Sequence, residues 1–212
     1  MIGIFAVNKP VGVTSHDIVN MVRRNTGVKR VGHGGTLDPL AEGVLVIAVG
    51  RENTKLLDAY VKGEKEYITE IFLGATSATD DREGEKTEVN KTITPSLEKI
   101  KKQLKQFEGT ISQTPPLYSS IKLQGKPAHR RMRKGEDIKL KAREVFVKEI
   151  EVLGYTYPVI KLRIATGSGV YIRSIARDLG EKLGTGGYLL SLIRTRVNTF
   201  TIDKALDITS LQ

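Results

Sequence analysis

The 212-residue chain contains no cysteine. That absence excludes disulfide frameworks, thiolate metal sites and catalysis by a cysteine nucleophile. Histidine is scarce: His16, His33 and His129 are scattered without metal-ligand spacing, so no metal is expected. No dinucleotide-binding fingerprint is present, and no cofactor is expected either. No run of about 18 apolar residues is available to cross a bilayer. The opening MIGIFAVNKP lacks the charged segment followed by a long apolar one that marks a secretory signal. A cytoplasmic monomer away from membranes is the expectation.

Basic charge is what the chain has in excess. Lysine and arginine total 34 against 24 acids, a net +10, which favours a polyanionic partner when the charge is clustered. Residues 122–148 hold ten basic residues against three acids, so +7 of the +10 lies there. Lys122 and Arg130 belong to this group, with His129 among them. Such a segment is either a solvated face or a nucleic-acid contact. A second basic run favours the latter: Arg23, Arg24, Lys29 and Arg30 stand in a stretch with no acid between Asp17 and Asp38. They lead into a glycine-rich segment, where phosphate binding is expected.

Hydropathy patterning places the elements. Residues 2–7 read as a strand ending at Lys9-Pro10, and Ser15 as the N-cap of a helix that Gly27 stops. The β-branched run 44–49, bounded by Gly43 and Gly50, predicts a strand buried on both faces. Residues 54–60 read as helix and 66–73 as a strand with Tyr67, Thr69, Ile71 and Leu73 on one face. The polar segment 74–90 reads as a loop. Pro95 is expected to open a helix with Leu97, Ile100, Leu104 and Phe107 along one side, ended by Gly109. An extended stretch at 117–123, a hairpin from 143–153 and 159–166, an amphipathic helix closed by Gly184, and a last strand near 195–202 complete the reading. The pattern predicts a single α+β domain over 1–212 around a mixed, largely antiparallel sheet, with a basic excursion.

The most unusual stretch is GHGGTLDPLAEGVL, from Gly32 to Leu45. Its glycines let the backbone pass close to a ligand or take positive φ, and Pro39 biases Asp38 toward an extended conformation. Asp38 is therefore held on a fixed loop just ahead of a buried strand. Alone, an aspartate before proline is more often a helix cap than a nucleophile. A lone histidine such as His33 is more often structural than a base.

This stretch resembles the catalytic segment of the TruB family of pseudouridine synthases, with Asp38 at the catalytic aspartate. Further motifs follow in the family's order. Asn8-Lys9-Pro10 with Gly12, Ser15 and Asp17 resembles its opening motif. Tyr67 in KEYITEIFLG resembles the tyrosine that packs on the target base. Residues 73–84 resemble its LG-x-x-T-x-T-x-D-x-x-G pattern, with Ser77 for the first threonine and Asp81 at the aspartate. QTPPLYSSIKLQGKPA resembles the lead into the family's RNA-gripping insertion, about 112–142 here. GSGVYIRSIARDLGEKLGTGGYL, which contains Tyr171, resembles its second active-site motif. Arg173 stands there at the arginine that pairs with the catalytic aspartate, and Leu192 matches an apolar residue lining the uracil pocket.

The resemblance implies a pseudouridine synthase fold and an isomerase acting on the T-loop uridine of tRNA, with the T stem-loop as partner. It implies Asp38, Tyr67 and Arg173 as catalytic residues. His33 is expected to occupy the gap left by an extruded nucleotide. Lys9, Asp81, Leu192, Tyr171, Lys122, His129 and Arg130 are expected substrate contacts. The reaction detaches a uracil from ribose, rotates it and rejoins it through carbon 5. It requires an oxyanion nucleophile and a pocket that retains the base, with neither metal nor redox partner. Base extrusion costs a few kcal/mol, which contacts from the basic segment would offset.

The chain departs from the family pattern in four places. His129-Arg130-Arg131-Met132-Arg133 replaces an aromatic followed by an acid. Ile193 stands where many members have arginine, and Asn198 where glycine is usual. The sequence stops at ALDITSLQ, where members enter a C-terminal RNA-binding PUA domain, so that domain is expected to be absent. Two rival readings fit the same sequence. One is a guide-RNA-dependent relative sharing the catalytic loop, against which the YSSIKLQGKPA run and basic insertion speak. The other is a non-catalytic RNA-binding or tRNA-folding module that keeps the scaffold, against which the intact Asp38, Tyr67 and Arg173 speak.

Overall fold

A computed structural model of the chain describes residues 2–89, 93–119, 138 and 140–208, with the backbone alone of 122–123 and 126–127. Strand β1 (Gly3–Lys9) leads to helix α1 (Ser15–Thr26), then β2 (Val31–Gly34), β3 (Glu42–Val49) and helix α2 (Arg51–Val61). Strand β4 (Lys65–Leu73) is followed by the short β5 (Ala75–Ser77) and β6 (Lys86–Glu88). Helix α3 (Leu97–Leu104) runs through a 3-10 turn into β7 (Gly109–Gln113). Then come β8 (Lys122–Leu123), β9 (Lys126–Pro127), β10 (Arg143–Thr156) and β11 (Val159–Thr166). Helix α4 (Ile172–Leu183), β12 (Gly187–Val197), β13 (Phe200–Thr201) and β14 (Leu206–Asp207) close the described chain.

Two compact units emerge, each from discontinuous segments. The first comprises Met1–Thr69, Arg163–Ser168 and Ser191–Gln212, and the second Glu70–Leu162 and Gly169–Leu190. In the first, the strand order is β14-β1-β3-β12-β4-β11, with β2 on β3 and β13 on β12. Strand β3 pairs antiparallel with β1 and β2 but parallel with β12, and β14 joins β1 in parallel. In the second, the order is β4-β11-β10-β7, with β5 and β6 as a separate antiparallel pair. The architecture is α+β with a mixed, mostly antiparallel sheet, as the patterning predicts.

The first unit is built on β3. Residues Val44 to Val49 are all fully buried, as a strand covered on both faces must be. Val44, Val46 and Ala48 pack with Ala6, Leu57 of α2 and Val197. Strand β4 alternates without a break, burying Lys65, Tyr67, Thr69, Ile71 and Leu73, which is the period-2 pattern of a half-buried strand.

Local chemistry moves several boundaries from the sequence expectation. Thr14, not Ser15, caps α1. It forms a capping box with Asp17 at the third helical position, and Gly27 closes the helix in the left-handed conformation. Helix α3 opens at Leu97 with Ser96 as its N-cap, rather than at Pro95. The polar segment after Leu73 contains the β5–β6 hairpin rather than a bare loop. The last strand divides into β12 and β13 at Asn198, whose φ is +48°. That left-handed position explains why glycine suits it and why asparagine, among non-glycine residues, is accepted there.

Candidate active site

The first unit builds a rigid cradle around Asp38. The loop before it begins in β2, whose Val31–Gly34 pair with β3. Gly35 then takes φ +69°, a left-handed turn open to glycine, and leads into Thr36 and Leu37. Leu37 is buried, and both of its backbone polar groups are held by Ser15. The Ser15 hydroxyl donates to the Leu37 carbonyl at 2.9 Å and accepts from its N–H at 2.9 Å. On the other side of Asp38, the Gly12 N–H donates to the Pro39 carbonyl at 2.8 Å. The Ala41 N–H donates to the Asp38 carbonyl itself at 3.1 Å. The opening motif thus clamps the aspartate loop from both flanks and leaves the half-buried Asp38 carboxylate with a fixed backbone.

Lys9, at the end of β1, is buried at 0% exposure. Its Nζ donates to the carbonyls of Pro10 and Val13, each at 2.8 Å, so it braces the turn between β1 and α1. Burial pulls its pKa down to about 8, against the opposing charge of Asp38. His33, half-buried on β2, has its pKa lowered, first by burial and then by Arg194 and His16. Its Nδ1 is buried with no hydrogen-bond partner among the described residues.

Tyr67 and Leu192, both in this unit, are buried at 6% and 8% exposure. The Tyr67 phenol is pushed up by burial and pulled back by the charge and hydrogen bond of Arg194. Arg194 is a residue that sequence reasoning passed over. It is 2% exposed, and its Nε and Nη2 donate to the carbonyls of Val44 and Gly35, each at 2.8 Å. Burial lowers its pKa, opposed by Tyr67 and by the charge of Asp38. Lys65 lies nearby, with Nζ donating to the Val61 carbonyl and the Ser168 hydroxyl; burial and Arg194 bring its pKa to about 8.

The second unit holds Arg173 in a comparably closed setting, at 4% exposure. Its Nη1 donates to the Thr79 carbonyl at 3.1 Å and reaches Asp81 at 3.4 Å, while Nη2 donates to the Tyr118 carbonyl at 2.9 Å. Asp81, 3% exposed, also accepts from the Thr79 hydroxyl and the Glu83 N–H. Tyr171 sits at the N-cap of α4. Its backbone is gripped on both polar groups by the Gln113 amide, at 3.1 and 2.9 Å, and the Arg143 guanidinium lies 5.3 Å from its ring centre.

The structure therefore places Asp38, Tyr67, Lys9, His33 and Leu192 in the first unit, and Arg173, Asp81 and Tyr171 in the second. Lys122, His129 and Arg130 lie outside the residues whose side chains are described. Arg194, Ser15 as a clamp and Gln113 are additions. Of these only Ser15 and Gln113 carried a signal, as members of motifs. Among the described residues no group of acids and histidines could hold a metal ion, and no helix is long and apolar enough to cross a membrane.

Residues 23–172 match the model of the TruB family pseudouridylate synthase N-terminal domain. The tRNA pseudouridine synthase B of Corynebacterium diphtheriae is 44% identical over 223 residues, covering 99% of this chain and 72% of the relative. The protein of the same name from Desulfotalea psychrophila is 43% identical over 209 residues, covering 96% and 85%. Among solved structures, a chain of a Cbf5-Nop10-Gar1 complex superposes with a TM-score of 0.76 at 29% identity, over 98% of this chain and 52% of its own. A chain of an H/ACA RNP bound to a substrate RNA containing 2'-deoxyuridine gives 0.72 at 27% identity, over 98% and 51%. This chain spans about half the length of those two.

Proposed function

The chain belongs to the TruB family of pseudouridylate synthases, and from that membership we propose that it isomerises the T-loop uridine of tRNA to pseudouridine. The relatives named tRNA pseudouridine synthase B, at 43–44% identity, support tRNA as the substrate over a guided RNA. The chains from the Cbf5-Nop10-Gar1 complex and the H/ACA RNP are more distant, at 29% and 27%.

The observation that carries the mechanism is the cradle around Asp38. A carboxylate on a backbone fixed from both flanks can meet one nucleoside in one orientation, which is the positioning that turns a slow encounter into a unimolecular step. In the reaction the bond from N1 of uracil to C1′ of ribose breaks, the base turns, and a bond from C5 to C1′ forms. The hydrogen on C5 leaves as a proton and N1 gains one, so atoms and charge balance without a co-reactant. Asp38 is the group that acts on the nucleoside. The Tyr67 ring stacks on the extruded uracil, Leu192 supplies an apolar wall, and His33 fills the place the nucleotide vacates. A neutral imidazole suits that last role, and burial lowers the His33 pKa in the direction that favours it. Arg173 takes part on the strength of its motif position; the Thr79, Asp81 and Tyr118 contacts fix its guanidinium.

A T-arm RNA hairpin carrying tritium at C5 of the candidate uridine tests this reading. Release of tritium to solvent is expected, up to one per RNA. Binding of the RNA without release would mean a binding module. Release from many unrelated uridines would contradict T-loop selectivity.

A further inference from the structure

We propose that Arg194 is a positioning residue of this active site: its buried guanidinium ties Tyr67 to the loop that presents Asp38, so that the two are held in one arrangement. The proposal rests on the reading of Asp38 and Tyr67 given above and adds to it the device that relates them.

Arg194 is anchored before its side chain is considered. Its backbone lies in β12, paired with Gly43 of β3 in parallel register. A Cβ at Gly43 would stand 2.3 Å from the Arg194 carbonyl oxygen, and Gly43 has φ +106°, so only glycine permits this approach. The side chain then reaches back across the loop. Nε takes the Val44 carbonyl on one flank of Asp38 and Nη2 the Gly35 carbonyl on the other. The Tyr67 phenol lies within reach of the same guanidinium, whose charge and hydrogen bonding act on it. One rigid, planar fork therefore spans both flanks of the catalytic loop and the stacking tyrosine.

A neutral side chain of the same length could fill the space but not these roles. A guanidinium offers five donors in fixed directions and no acceptor, so the Tyr67 oxygen can only accept from it. The phenol proton is thereby turned away from Arg194. Burying a charge is costly unless it is compensated, and the groups that offset it at Arg194 are Tyr67 and then the charge of Asp38. Lys9, Lys65 and His33 all feel the positive charge of Arg194. A fully buried cation among other basic groups is a poor choice for stability alone, and its geometry points to the site.

The test uses the whole chain with Arg194→Lys, Arg194→Gln, Tyr67→Phe and the double variants. Folding of each is checked by thermal melting, and Arg194→Lys keeps the charge should Arg194→Gln fail to fold. Single-turnover tritium release from the T-arm hairpin is expected to fall on the order of tenfold to a hundredfold in Arg194→Lys, with RNA affinity within about twofold of wild type. The losses from Arg194→Lys and Tyr67→Phe should combine to less than their product, because they break the same link. A second readout does not need activity. With carbon-13-labelled tyrosine, the Cζ resonance missing in Tyr67→Phe should move in Arg194→Lys, while the other six of the seven tyrosines stay in place. A wild-type turnover rate in Arg194→Lys, fully multiplicative losses, or an unmoved Tyr67 resonance would each overturn the proposal. If wild type releases no tritium while the Tyr67 resonance still responds, the functional reading fails and the structural link survives.

Discussion

Replacing Ser15 by alanine should destabilise the chain far more than loss of an ordinary helix-end hydroxyl. Ser15 is 3% exposed, and its hydroxyl satisfies both the carbonyl and the N–H of the buried Leu37. The substitution removes one atom and leaves two buried backbone groups without partners. Each unsatisfied group costs about 1–3 kcal/mol, and allowing for partial relaxation the sum is roughly 2–4 kcal/mol. For a chain of this length each kcal/mol moves the melting midpoint by about 2–4 °C, so the loss should be about 5–15 °C. The neighbouring Thr14→Ala removes an exposed capping box and should cost only about 1 kcal/mol. Urea unfolding of both variants, with midpoints compared at equal slope, separates the two. Because Leu37 adjoins Asp38, Ser15→Ala should also slow pseudouridine formation in protein that remains folded, and Thr14→Ala should not. A Ser15→Ala loss no larger than that of Thr14→Ala would refute the clamp.

The other predictions concern charge and backbone. Lys9 has its pKa depressed from 10.5 to about 8, so between those values the unfolded chain holds a proton that the folded chain has lost. Stability from this group therefore rises with pH across that window. Lys9→Met should flatten the rise in urea midpoints, while Lys65 keeps its own contribution of the same sign; identical slopes would show that Lys9 is not buried as described. At Asn198, φ +48° and side-chain bonds to the carbonyls of Tyr60 and Lys62 act together. Asn198→Ala should be less stable than Asn198→Gly by about 1 kcal/mol, the cost of a left-handed alanine, and equal stability would contradict that backbone conformation.

Much of this was legible in the sequence where a regular period met a uniform environment. The alternation of β4 and the unbroken apolar run of β3 each declare their burial, and Gly27 and Gly184 mark the ends of α1 and α4. The motif around Asp38 points to the family together with the further motifs that follow it in order. What escaped depends on partners far away in the chain. Arg194 in LIRTRV looks like a solvated strand residue, and only folding brings it to Gly35, 159 positions earlier. Ser15 was legible as a helix start, but Thr14 takes the cap because Asp17 stands three residues on. That frees Ser15 to hold Leu37. Strand β2 was hidden because four residues with two glycines carry no period, and its pairing comes entirely from β3. The β5–β6 hairpin is half exposed and polar, so no apolar alternation announced it.

The most direct test of the central claim is position-resolved mapping of pseudouridine in a complete tRNA incubated with wild type and with Asp38→Asn, the two proteins matched in melting temperature. One new pseudouridine, in the T loop, is expected with wild type and none with Asp38→Asn, while both bind the tRNA with similar affinity. Conversion of that uridine by Asp38→Asn at a rate near wild type would contradict that claim.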